Sequence, residues 1–157
     1  MKKITLLLFA SFLVLSCSVN KYADTYYPFS DGVEFKIKYV NFSKYSDLGE
    51  DPNYQYIAGK EGRILQTIFS LKNNTQEDKE LNLNEFYLLD SKNQKYEPTA
   101  IVQSGKVGGM AQGQLDIKLK ANKEKTFTMT FKPAINKNEK ITGVLVNGKE
   151  HKLSPSS

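Results

Sequence analysis

The chain has 157 residues, with 22 Lys and Arg against 17 Asp and Glu, nine Tyr, nine Phe, no Trp, one Cys and one His. A single cysteine excludes an internal disulfide, and a single histidine excludes histidine-pair metal sites and most Ser-His or Cys-His arrangements. The net charge of +5 is mild and mixed along the chain. Stretches such as KANKEK (120–125) and NKNEK (136–140) therefore read as solvated surface and not as a nucleic-acid patch, which wants charge of one sign.

Lys2 and Lys3 precede an apolar run over residues 4–15 that is broken only by Thr5 and Ser11. The run is too short for a comfortable transmembrane helix and reads as a secretory signal. Val14-Leu15-Ser16 then leads directly into Cys17, the only thiol. This arrangement resembles the lipobox of bacterial lipoproteins, in which the cysteine receives a diacylglyceryl group and becomes the new amino terminus. Val14, Leu15 and Ser16 each depart from the usual Leu, small residue, Gly or Ala. Val14 and Ser16 also fit ordinary secretory cleavage, which would release a soluble protein. Cysteine arithmetic favours lipidation, since an exported lone thiol has no disulfide partner. Two or more fatty chains, palmitate among them, hold a protein on a membrane stably. The expected partner of Cys17 is thus a membrane, and the expected location is the bacterial cell envelope, at the outer membrane or cell surface. Loss of residues 1–16 takes the charge balance from +5 to near +3.

Residues 17–32 lack periodicity and read as the lipidated terminus and a tether, with a reach of up to ~50 Å. Within it Tyr22, Tyr26, Tyr27 and Phe29 are expected to pack back on the domain in preference to the lipid headgroups. From residue 33 the pattern changes. VEFKIKYV alternates Val33, Phe35, Ile37 and Tyr39 against Glu34, Lys36 and Lys38, the period of a half-buried strand. RILQTIFSLKN (63–73) is apolar on both faces, which predicts a central strand. ELNL (80–83) and FYLLD (86–90) are extendable, with a turn at 91–94. QLDIKLK and TFTMTFK alternate again, burying Leu115, Ile117 and Leu119 in one and Phe127, Met129 and Phe131 in the other. Asn147-Gly148 predicts a two-residue hairpin pairing Val146 with Lys149 and Val144 with His151. Residues 33–157 are expected to form one all-β domain, an antiparallel sandwich or barrel.

Residues 62–98, GRILQTIFSLKNNTQEDKELNLNEFYLLDSKNQKYEP, resemble the core of the telokin-like, immunoglobulin-like domain found in bacterial lipoproteins, a family of unknown function. LKANKEKTFTMTFKPA extends the resemblance, which runs over about 33–146. At Ala121-Asn122-Lys123-Glu124 the family's usual Pro-Gly-Glu turn is missing. The resemblance implies an immunoglobulin-like antiparallel β-sandwich outside the cytoplasm and carries no catalytic residues with it.

Two long connections, 43–62 and 97–113, are the expected binding loops. The first gathers Asp47, Glu50 and Asp51 with Tyr45, Tyr54 and Tyr56; the second carries Lys106 and Met110. The acidic group lacks a full calcium-loop pattern, so no metal is expected. The tyrosines suit either partner binding or covering the end of the core. SGKVGGMAQG has neither phosphate-loop spacing nor a following helix. His151 reads as a surface or edge residue, and no cofactor or catalytic group is expected. The function expected is a non-catalytic binding or assembly module for an envelope protein. The alternatives are an envelope enzyme or enzyme inhibitor working through loop carboxylates, and a structural spacer.

Overall fold

The computed structural model describes residues 19–46, 56–103, 111–112 and 115–156. They form strands β1 (Val19–Lys21), β2 (Tyr27–Ser30), β3 (Val33–Ser43), β4 (Tyr45–Ser46), β5 (Tyr56–Ile57), β6 (Gly62–Asn73) and β7 (Lys79–Asn82). After these come β8 (Phe86–Asp90), β9 (Lys95–Gln103), β10 (Ala111–Gln112), β11 (Asp116–Leu119), β12 (Glu124–Asn136), β13 (Ile141–Val146) and β14 (Lys149–Lys152). No helix occurs among the described residues, and every pairing is antiparallel.

One layer runs β3-β6-β12-β9, and the other runs β8-β13-β14. They face each other through aromatic side chains. The Phe86 ring from the second layer lies 5.3 Å from Phe35 and 5.2 Å from Phe69 of the first. Strand β6 is central, between β3 and β12, and carries apolar side chains on both faces, Leu65, Phe69 and Leu71 on one and Ile64 and Ile68 on the other. Along β12 the threonines alternate with Phe127, Met129 and Phe131, all buried as the period predicts. The Asn147-Gly148 hairpin forms in the expected register, with φ of 47° and 76° at its two central residues. Both angles are left-handed, as a type I′ turn demands. At 120–123 Asn122 takes φ 52° and the Lys123 amide donates to the Lys120 carbonyl at 3.2 Å. Asparagine thus makes the tight turn there without a Pro-Gly pair.

Four expectations need correction. In β3 the register shifts between Ile37 and Tyr39, so Val40 is buried and Tyr39 turns outward. The extra residue is a bulge, which a strict period-two reading misses. Second, residues 97–103 are strand and not loop. Strand β9 pairs with β8 through Lys95 and Tyr96, then with β12 from Glu97 to Gln103, and so passes from one layer to the other. Its ladder with β12 shifts register beside Pro98, a place where a missing N–H is tolerated.

Third, the tether is largely part of the sheet. Strands β1 and β2 lie end to end along the free edge of β3, with Val19 opposite Asn41 and Tyr27 opposite Phe35. Tyr22 and Phe29 are buried, so packing back is the outcome for both. Tyr26 lies beside two lysines, with the ammonium of Lys36 at 4.5 Å and that of Lys72 at 5.6 Å from its ring, and Lys36 also pairs with Asp24 at 2.6 Å. Fourth, His151 is 8% exposed and packs edge-on to Phe35 at 5.5 Å, so it is a core residue.

The same N-terminal segment closes the fold. The Tyr22 hydroxyl donates to the Ile141 carbonyl at 3.0 Å, the Ala23 amide to Ser154 O at 2.8 Å and the Ser156 amide to Lys21 O at 3.1 Å. Residues 21–23 therefore join β3 of one layer to the tail that follows β14 of the other. Strand β9 makes the corresponding join on the opposite side.

Candidate functional site

The strand directions define two ends. At the proximal end β1 begins, β3 finishes, β6 begins and β12 finishes; at the distal end β3 begins, β6 finishes and β12 begins. The connection from β4 to β5 leaves the proximal end, whereas β9 runs toward the distal end. The described strands that lead into the two expected binding loops thus end at opposite ends of the sandwich. Tyr45 and Tyr56 fall in the β4–β5 ribbon, where Tyr45 pairs with Ile57 and Ser46 with Tyr56. Cys17, Asp47, Glu50, Asp51, Tyr54, Lys106 and Met110 lie outside the described residues.

The motifs that carry the family resemblance do structural work. The Asn73 side chain, 1% exposed, donates to Glu77 O at 2.7 Å, Leu119 O at 3.3 Å and Lys120 O at 3.2 Å. Its Oδ1 accepts from the Thr75 amide at 2.9 Å and the Thr75 hydroxyl at 2.8 Å. That one amide fastens the SLKNNT turn to the 119–120 segment. Asp90 performs the same task in LLDSKNQKY. Its Oδ1 accepts from Lys92 N at 2.8 Å and Gln94 N at 2.9 Å, and its Oδ2 accepts from Tyr96 Oη at 2.9 Å. Burial opposes the Asp90 charge, but the bonds from Gln94, Lys92 and Tyr96 outweigh it and hold the carboxyl below its ordinary value. Burial first, and then the Asp90 bond, pushes the Tyr96 hydroxyl up. The buried acid is thus fully occupied in shaping a turn.

Among the described residues no group of three or more His, Cys, Asp or Glu is placed to hold a metal, and no helix is long and apolar enough to cross a membrane. Among the described residues the surface includes two shallow grooves. One, of about 320 Å³, follows the β7–β11 ribbon between Glu80 and Lys118. The other, of about 400 Å³, lies at the proximal end where the chain enters β1, between Asn20, Lys21, Tyr22, Lys140, Ile141, Pro155 and Ser156. Tyr22 and Ile141 are buried, and the ammonium-bearing Lys21 and Lys140 are exposed at its rim. Burial also raises the Tyr22 hydroxyl to about 12, a neutral donor at any physiological pH.

At the distal end Lys120 pairs with Asp78 at 2.6 Å and Lys118 with Glu80 at 3.2 Å, while Lys123 is exposed and has no carboxylate partner among the described residues. At the proximal end Lys137 pairs with Glu61 and Lys92 with Glu139. Lys44, Lys60 and Lys140 are exposed there, and among the described residues no carboxylate pairs with them. The sequence did not point to this groove, because its walls come from segments more than 100 residues apart.

The molecule is an all-β antiparallel sandwich. No known family model and no curated protein matches its sequence. Among solved structures it is similar to an uncharacterized β-sandwich protein from Clostridium difficile 630, with 14% sequence identity and a TM-score of 0.55, over 88% of this chain and 95% of that one. A functionally unknown protein from Listeria monocytogenes EGD-e is 15% identical with a TM-score of 0.48, over 78% of this chain and 66% of that one. At such identities the first likeness bears on the fold alone.

Proposed function

We infer that this is a bacterial envelope lipoprotein, held on a membrane by acyl chains on Cys17, whose sandwich serves as a non-catalytic binding or assembly module. The observation that carries the reading is the position of the only thiol, directly behind a charged and then apolar leader. The resemblance expected of residues 62–98 to the telokin-like domain of bacterial lipoproteins agrees with it, with no family model matching the chain. So does the use of Asn73 and Asp90 within turns, which leaves the polar residues of those motifs occupied by the fold. With the anchor at the proximal end, β9 runs away from the membrane, and the distal end it leads to is the surface offered to an envelope partner. Anchoring raises the effective concentration of that partner, so a weak contact suffices. Growth of cells with a fatty-acid analogue is expected to label the wild-type protein and leave Cys17→Ala unlabelled. Equal labelling of both would refute attachment at Cys17.

A further inference from the structure

Strand β1 begins at Val19, and at ~3.4 Å per residue its first Cα lies within about 7 Å of the Cα of Cys17. On the lipid-anchor reading, on which this inference rests, that distance is comparable with the headgroup layer of one leaflet and with the ~8 Å screening length of physiological salt. The sandwich is therefore not suspended on a tether. Its proximal end sits among the headgroups, while the distal end, eleven residues of β3 away, is raised by about 35 Å.

We propose that the proximal groove between Lys21 and Lys140, with Lys44 and Lys60 at the same end, is a docking surface for anionic phospholipid headgroups. The occupant follows from three facts: where the chain toward Cys17 leaves, the exposed lysines without carboxylate partners among the described residues, and a groove open at the exit point. Lys21 and Lys140 flank a space large enough for a headgroup phosphate, above the buried Tyr22 and Ile141. Lys21 is braced by the Tyr39 ring at 5.9 Å. Asp47, Glu50 and Asp51 follow β4 in the chain and oppose such binding, so the test must show that the lysines prevail.

The test uses the mature chain from Cys17 without acyl groups; every buried residue described lies between Tyr22 and Leu153, so this chain keeps the whole core. It is sedimented with vesicles of phosphatidylcholine alone or mixed with phosphatidylglycerol. The expected result is at least about tenfold stronger binding to the anionic vesicles, lost at about 1 M salt, where the screening length is about 3 Å. Lys21→Glu with Lys140→Glu is expected to weaken that binding about 30-fold or more. Lys44→Glu with Lys60→Glu acts in the same direction, and Lys120→Glu with Lys123→Glu at the distal end changes it little. Absence of an anionic preference, as a protein partner at this end would give, or an equal loss in the distal variant, overturns the inference. Fatty-acid labelling of cells reads the anchor separately. Labelled protein without vesicle preference keeps the anchor and removes this docking surface; vesicle preference without labelling does the reverse.

Discussion

At the scale of single residues, some buried polar side chains organise the fold, whereas two buried polar atoms, Asn41 Oδ1 and His151 Nε2, burden it. Asn73 and Asp90 each satisfy several backbone groups, so their polarity is compensated. His151 is different: its Nε2 is buried and has no hydrogen-bond partner among the described residues, a state that costs about 1–3 kcal/mol. Burial, and secondarily the Lys149 charge, lowers its pKa below the ordinary 6.5. The unfolded chain therefore takes up a proton first. The stability due to neutral His151 is complete above pH 6.5 and declines as pH falls from there through the lower folded-state value, with a slope of at most about 1.4 kcal/mol per pH unit. Denaturant titrations of His151→Leu are expected to show stability within about 1 kcal/mol of wild type at pH 7 and no such decline between pH 6.5 and 5. A wild-type slope persisting in the variant would place the titration elsewhere.

At the scale of elements, legibility in the sequence followed how local the stabilising pattern is. Strands β6, β8, β12 and the β13–β14 hairpin were readable because an apolar run, an alternation and an Asn-Gly turn are each properties of a few consecutive residues. Strands β1 and β2 were not, since their places come from backbone pairing with β3 and from isolated buried residues, Tyr22 and Phe29. Neither pairing nor isolated burial leaves a period. The corner in β9 was hidden for a related reason, as Pro98 signals a break when read alone and marks a register shift in the sheet. Of the expected site residues, only Tyr45 and Tyr56 fall within the described strands. The proximal groove escaped notice because it exists only where residues 20–22 meet 140–141 and 155–156. The Tyr22 contact gives this edge a measurable strength. Tyr22→Phe leaves the Ile141 carbonyl without its donor and is expected to cost about 1–2 kcal/mol by chemical denaturation, whereas Tyr26→Phe, outside the core, costs less than about 0.5 kcal/mol.

At the scale of the molecule, the two layers are joined on both sides, by β9 and by residues 21–23, so the hydrogen-bonded path returns to its start. An open sheet margin invites pairing with other chains, and covering it is a general defence. Truncation after Lys152 removes the tail that pairs with residues 21–23 together with buried Leu153. The truncated protein is expected to lose about 3 kcal/mol or more and to self-associate in sedimentation runs, while a chain ending at Ser156 does neither. A seam made from the end of the first strand and the tail after the last also has a bearing on timing. A nascent polypeptide holds residues 21–23 long before residues 154–156 are made. The body therefore stays unlatched until those later residues arrive.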